Sequence, residues 1–181
     1  MNKGYLRLTR KALRSLRHPR LKRLGWWRAA TRPVARKELW IPYRDTVALG
    51  VTIGVFCSMI VVIPFQTFAA ALICIRLGAN LPLGMACCWI SNPFTIAPLL
   101  WLQCLMGNWL RHDVGVPVPA FLSLDMLTIP TLGTVNTANF LLGMISFALI
   151  CAVIAYAAVH LFAVLRPGYL PSRRHRHQTA D

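Results

Sequence analysis

The sequence predicts an all-α integral membrane protein, a helical bundle built from about four apolar helices. Two runs that are nearly free of charge, 46–64 and 137–165, are each long enough to cross a bilayer as a helix. Apolar residues make up 56% of the 181 residues, and a soluble domain does not gather them into such runs. Between the runs, prolines and polar residues predict helix breaks at Pro64, Asn80–Pro82 and Asn92–Pro93.

Charge divides the chain into three parts: a basic cytoplasmic or interfacial segment, 1–45, a membrane domain, 46–165, and a basic cytoplasmic tail, 166–181. Lys and Arg number 20 against 5 acids, a net charge of +15, and 14 of these bases precede Thr46. Bases beside a membrane span attract the anionic lipids of the cytoplasmic leaflet. We therefore predict the bilayer with its anionic headgroups as a partner, and not nucleic acid.

The basic segment begins with bases and leucines at helical spacing, which predicts an amphipathic surface helix that ends at Pro19. Trp26, Trp27 and Trp40 follow among bases close to the membrane entry, where amphipathic rings anchor a chain to lipid headgroups. A disordered basic tail with incidental tryptophans is the alternative.

Small residues recur at steps of four in the first span, at Gly50, Gly54 and Ser58. They share one helix face and predict close helix packing, either against another helix of this chain or against a second copy in a homo-oligomer. A separate membrane-protein partner is a further possibility for such a surface.

The second apolar segment, 65–79, is short for a span and carries Arg76 near its end. Arg76 is predicted to extend to the interface as an anchor, or to bind an anionic headgroup. The third segment, 81–110, is interrupted at Asn92–Pro93, and residues 111–137 are predicted to form a structured loop outside the membrane or at its interface. Residues 137–165 form the strongest predicted span, with His160 at an interfacial helix end.

Both basic ends are predicted to lie in the cytoplasm, which requires an even number of crossings. Four crossings satisfy this rule, with Arg76 on the inner side. Two full crossings also satisfy it if 65–110 forms re-entrant half-helices, because broken backbone is tolerated when protein buries it.

Four polar residues lie next to prolines or predicted helix ends, namely Gln66, Asn80, Asn92 and Thr95. Their side chains are suited to backbone groups that lose helical partners there. The alternative is a polar intramembrane site, because interrupted helices of transporters surround a substrate or ion in this way.

The sequence gives poor support for catalysis, and we expect no enzymatic activity, no cofactor and no metal site. The acids number five, and no Ser-His-Asp set, HExxH sequence or glycine-rich phosphate loop is present. The six cysteines all lie in apolar segments without a histidine at ligand spacing, which is typical of reduced packing residues.

Several short sequences together resemble a known family. They are VALGVTIGVF at 47–56, IPFQ at 63–66, R-x-x-x-N-L-P-L at 76–83, W-I-S-N-P-x-T-x-x-P at 89–98, and Gly107 at a helix end. The chain resembles, over about 40–165, the small bacterial membrane proteins of domain of unknown function 2062. The resemblance implies a bacterial inner-membrane protein and no activity, and family members fused to glycosyltransferase-like domains suggest an envelope context.

The expected function is that of a small polytopic inner-membrane protein that serves envelope or lipid homeostasis as a non-enzymatic partner or scaffold. The second hypothesis is a small transporter or channel-like protein that uses the interrupted helices, and the third is a lipid-modifying enzyme.

Overall fold

In the computed structural model, the chain folds into packed helices with one β-hairpin. The structure describes residues 33–34, 36–60, 65–117, 125–129, 133–166 and 169–170. The helices are α1 (Arg44–Met59), α2 (Phe65–Leu77), α3 (Leu81–Cys87), α4 (Ile96–His112) and α5 (Thr137–Leu165). A 3-10 turn, Lys37–Trp40, precedes α1, and a second one, Cys88–Ile90, continues α3.

Some sequence predictions lie outside the described residues. They are the amphipathic helix before Pro19, the anchors Trp26 and Trp27, the break at Pro64, and the tail from Pro171 onward.

The predicted structured loop contains a short hairpin, in which β1 (Asp125–Ile129) pairs antiparallel with β2 (Gly133–Asn136). Leu127 pairs with Val135, and the register shifts between Asp125 and Leu127. These strands are too short to produce a clear alternating pattern in a proline-rich segment, so the sequence alone indicates only a loop.

Two of the predicted breaks are confirmed by helix ends. Asn80 is the N-cap of α3, and Pro82 lies in its first turn, where a missing N–H leaves no helical hydrogen bond unmade. The second break separates Ile90 from Ile96, around Asn92–Pro93. The sequence 81–110 is therefore two helices in series, α3 and α4.

Helix α1 is central, because it contacts α2, α3 and α5, while α4 packs on α5. Its first turn lies beside the α2–α3 turn, where the Asn80 N–H donates to the Thr46 carbonyl oxygen (2.8 Å). Its last residue lies beside the middle of α4, where the Gln103 side chain donates to the Met59 carbonyl oxygen (2.7 Å). Helix α2 thus returns to the level at which α1 begins, and α4 continues beyond the level at which α1 ends.

The helices bury small and medium side chains between them and leave large apolar side chains outside. Leu39, Cys74 and Cys88 belong to the buried cluster, whereas Val153 and Val164 of α5 are 68% and 63% exposed. Among the described residues, α5 alone is long and apolar enough to span a membrane, by length and composition. A bundle of four full spans is therefore not confirmed.

Candidate functional site

The Asn80 corner joins the α2–α3 turn to the start of α1. Besides its backbone bond to Thr46, Asn80 accepts a hydrogen bond at Oδ1 from the Leu83 N–H (3.2 Å), and its side chain is fully buried. A Cβ on Gly50 would lie 2.5 Å from the Asn80 carbonyl oxygen, so only glycine admits this approach. Asn80 is thus a helix cap inside the packed fold.

Asn92 and Thr95 hold the break between α3 and α4. The Asn92 Oδ1 accepts hydrogen bonds from the N–H groups of Phe94 (2.9 Å) and Thr95 (3.1 Å). The Thr95 hydroxyl donates to the Ile90 carbonyl oxygen (2.6 Å) and accepts from the Asn92 N–H (2.9 Å). Both side chains therefore replace backbone hydrogen bonds that the proline turn removes.

Gln66 links the start of α2 to the same break. Its Nε2 donates to the Cys88 carbonyl oxygen (3.4 Å), and its Oε1 accepts from the Ser91 hydroxyl (3.3 Å). Gln66 is thus close to the break that Asn92 and Thr95 stabilise. Asn80 lies at the other end of α3, roughly 15 Å away for ten helical residues. The four predicted polar residues do not form one site.

Gln103 is a buried polar residue that the sequence reasoning missed. It is 0% exposed, its Nε2 caps the end of α1 at Met59, and its Oε1 has no hydrogen-bond donor among the residues that the structure describes. The sequence does contain a signal for this residue, because Gln103 is a single glutamine among the apolar residues of α4.

A second missed group lies where α4 ends and α5 begins. Asn139 Oδ1 accepts from Arg111 Nη1 (2.8 Å), Asn139 Nδ2 donates to Asn108 Oδ1 (2.6 Å), and the Asn139 N–H donates to Asn136 Oδ1 (2.8 Å). Asn139 is 1% exposed, and it joins the two helices through both halves of its amide.

At the opposite end of the bundle, Arg44 is hydrogen-bonded to His160. Arg44 Nε donates to His160 Nδ1 (2.9 Å), which joins the first residue of α1 to α5. The Tyr156 ring lies against the imidazole, with centroids 4.4 Å apart. His160 Nε2 is buried and has no hydrogen-bond partner in the described part of the chain. The sequence had indicated only an interfacial helix-end histidine.

The predicted anchors differ in their surroundings. Arg76 is exposed in the last turn of α2, as an interfacial side chain requires. Trp40 is half-buried, donates from its indole nitrogen to the Val34 carbonyl oxygen (2.8 Å), and packs against the core cluster. The protein itself therefore holds the Trp40 ring.

The predicted small-residue face packs within the chain. A Cβ on Gly54 would overlap the Gly84 carbonyl oxygen and lie 2.6 Å from the Cys87 Cβ. Ser58 is 1% exposed, and its hydroxyl donates to the Val55 carbonyl oxygen (2.7 Å). Helix α3 thus occupies much of the surface that a second copy would need.

The cysteines form no disulfide. Across the described ranges, no group of three or more His, Cys, Asp or Glu residues is arranged to hold a metal ion.

Broken apolar helices, joined by close glycine contacts and by amides that cap their ends, define a small helical protein. One of its described helices is able to span a membrane by length and composition. The chain belongs to a family of uncharacterised proteins conserved in bacteria, domain of unknown function 2062, whose family model matches residues 27–168. The resemblance seen in the sequence is thereby confirmed. Comparison with curated proteins and with solved structures gives no match.

Proposed function

We propose that this chain is a multi-pass protein of the bacterial inner membrane that acts without catalysis, as a partner or scaffold in envelope or lipid homeostasis. The observation that carries the proposal is the exposure of α5. Only 11% of its most apolar stretch is buried by the rest of the chain, whereas a core helix of a soluble protein is mostly buried. The exposed apolar surface of α5 is suited to contact with lipid, or with an apolar partner protein within the lipid.

The contacts of the α2–α3 turn support four passes with both ends in the cytoplasm. In the two-crossing alternative, residues 65–110 enter and leave from the outer side without reaching the inner one. The Asn80–Thr46 hydrogen bond brings the turn to the level at which α1 begins, next to the basic segment. Helices α3 and α4 then form one pass in two pieces, and their combined length approaches that of α5.

A scaffold is preferred to a transporter because the predicted polar residues have structural partners. Gln66, Asn92 and Thr95 bind backbone or side-chain groups at the break, and Asn80 caps α3. A transport site requires polar groups that turn toward a substrate.

One observation favours the transporter as a second candidate. Gln103 Oε1 is a buried acceptor without a donor in the described ranges, close to the end of α1. If Gln103→Leu abolished a measured flux while the protein still inserted, and Gln66→Leu did not, this second candidate would replace the first.

Site-specific photo-crosslinking in living cells tests the scaffold. A crosslinking amino acid at Val153, which is 68% exposed on α5, is expected to give a discrete adduct with another protein. The control position is Ala148, which is 0% exposed on the same helix and is expected to give no intermolecular adduct. Lipid adducts alone at Val153 and at the neighbouring Ile154 would contradict a scaffold that uses this face.

A further inference from the structure

The Arg44–His160 pair leaves most of the Arg44 guanidinium without a partner among the residues that the structure describes. Only Nε of Arg44 is used, in the 2.9 Å hydrogen bond to His160. The two terminal nitrogens have no acceptor among the described residues, and Asp45, the next residue, forms no ion pair with them. Four N–H groups of a half-buried arginine therefore have no acceptor in the described part of the chain.

His160 determines how those groups are presented. Its Nδ1 accepts the Arg44 hydrogen bond, so the ring hydrogen lies on Nε2, and the Tyr156 ring lies against the imidazole. An arginine held at Nε keeps its guanidinium plane fixed, while its outer edge offers two parallel N–H groups. That edge matches two oxygens of a phosphate, a geometry that a lysine cannot reproduce.

The location also favours an anion. Arg44 begins α1 at the end of the 45-residue segment that carries 14 of the 20 bases. Exposed Arg76 lies near the end of α2, which the Asn80–Thr46 hydrogen bond brings to the same end of the bundle. Apolar side chains of α5 that precede His160 on the same helix face, such as Val153 at 68% exposure, would contact acyl chains below a headgroup.

We propose that Arg44, positioned by His160, binds a phosphate oxyanion at the cytoplasmic end of α1 and α5, as carried by a phospholipid headgroup or by a free phosphate. This inference rests on the proposed function in one respect: a phosphate supplied by a lipid headgroup requires the protein to lie in a membrane. Arg44 is the binding residue and His160 is the positioning residue.

The test measures binding by the purified full-length protein in detergent, by native mass spectrometry and by thermal stabilisation. The probes are dioctanoyl phosphatidylglycerol, dioctanoyl phosphatidylcholine and inorganic phosphate. Arg44→Gln is expected to weaken phosphatidylglycerol binding about tenfold or more, since it removes a charge-assisted pair of hydrogen bonds. Arg166→Gln, the matched control, removes an exposed charge from the end of α5 beside His160 and is expected to leave the affinity within about twofold.

Two further variants test His160 and remain informative if Arg44→Gln fails to fold. His160→Gln keeps an acceptor for Arg44 Nε and is expected to retain the affinity, whereas His160→Phe removes the acceptor and is expected to lower it several-fold. Equal phosphatidylglycerol affinity in the wild type, His160→Gln and His160→Phe overturns the positioning role of His160. An equal loss in Arg44→Gln and Arg166→Gln overturns the site, since charge alone would then attract the lipid.

The probes distinguish the source of the phosphate. Arg44-dependent binding of the lipids but not of inorganic phosphate assigns a headgroup, and the reverse assigns a soluble phosphate. Binding of none of the three by the wild type overturns the site. Alkaline carbonate extraction of cell membranes tests membrane integration separately, so a protein that stays in the membrane and binds no phosphate overturns this inference alone.

Discussion

Gly107 of α4 and Gly143 of α5 pack backbone against backbone. A Cβ added to Gly143 would overlap the Gln103 carbonyl oxygen and lie 2.6 Å from the Gly107 N, and one added to Gly107 would overlap the Asn139 carbonyl oxygen. Neither neighbour is a flexible side chain that can turn away. Since side-chain burial between apolar helices gives little advantage inside a membrane, such close backbone contact is a main source of helix association there.

Gly143→Ala is expected to destabilise the protein, because α4 and α5 must separate to admit a methyl group. Overpacking of this kind costs about 1–3 kcal/mol. Thermal unfolding in detergent, followed by circular dichroism, measures the loss. Ala157→Leu, on the exposed face of α5, is the control and is expected to leave the midpoint unchanged. An equal shift in both variants would contradict the close contact.

Gly54→Ala separates the two interpretations of the small-residue face of α1. Because Gly54 lies against Gly84 and Cys87 of the same chain, the variant is expected to lose about 1–3 kcal/mol of stability with no change in oligomeric state. Light scattering coupled to size-exclusion chromatography gives the state, and Ala86→Val on the exposed side of α3 is the control. A normally stable chain that dissociates from an oligomer would favour the second-copy interpretation.

The helix ends were predictable because their chemistry is local. Pro93 and the amide of Asn92 act within a few residues of each other, so the sequence alone indicates both the break and the polar groups that cap it. The small-residue face of α1 was equally visible as a spacing. The helix that packs against this face could not be predicted, because a stripe of small residues indicates close packing without indicating which helix is the partner.

Asn92→Leu is expected to destabilise the break, since the N–H groups of Phe94 and Thr95 lose a common acceptor. Loss of a cap typically costs about 1 kcal/mol. Asn92→Asp keeps that acceptor and is the matched control, expected to unfold near the wild-type temperature. If Asn92→Asp were as unstable as Asn92→Leu, the amide nitrogen rather than Oδ1 would be the important group.

Cysteine labelling tests the four-pass arrangement. In a background without the six native cysteines, Arg76→Cys is expected to react with a membrane-impermeant maleimide only from the cytoplasmic side, in inverted vesicles. Ala79 is a poor reporter although it lies in the same turn, because it is 0% exposed. Asp113→Cys, exposed after the end of α4, is the control and is expected to react in intact spheroplasts. The opposite labelling at Arg76 would support re-entrant helices.

Asn139→Leu is expected to loosen the junction of α4 and α5 by about 1–3 kcal/mol, because Arg111 and Asn108 both lose a partner. Asn139→Asp separates the contributions of the two hydrogen bonds, since its side chain still accepts from Arg111 but no longer donates to Asn108. Its unfolding midpoint is therefore expected between those of the wild type and Asn139→Leu. Full stability of Asn139→Leu would mean that this hydrogen-bond network contributes little.

The pairings between helices that sequence reasoning missed join residues far apart in the chain. Arg44 and His160 are 116 residues apart, and Gln103 and Met59 are 44 apart. Arg44, Gln103 and His160 are each, taken alone, an ordinary polar side chain in or beside an apolar helix, and Met59 contributes only its backbone carbonyl. The partner of each side chain depends on which helices pack and at what height, and glycine contacts such as Gly107–Gly143 decide that arrangement.

The distance along the chain between α1 and α5 has a consequence for synthesis. Chains elongate at about 5–20 residues per second, so α1 waits on the order of ten seconds for the helix that covers its other side. Gly50 and Gly54 meet the α2–α3 unit early, whereas the surface of α1 that will contact α5 remains uncovered until α5 has been made. A chain truncated before Thr137 would keep that surface exposed permanently and become a target for quality-control proteases.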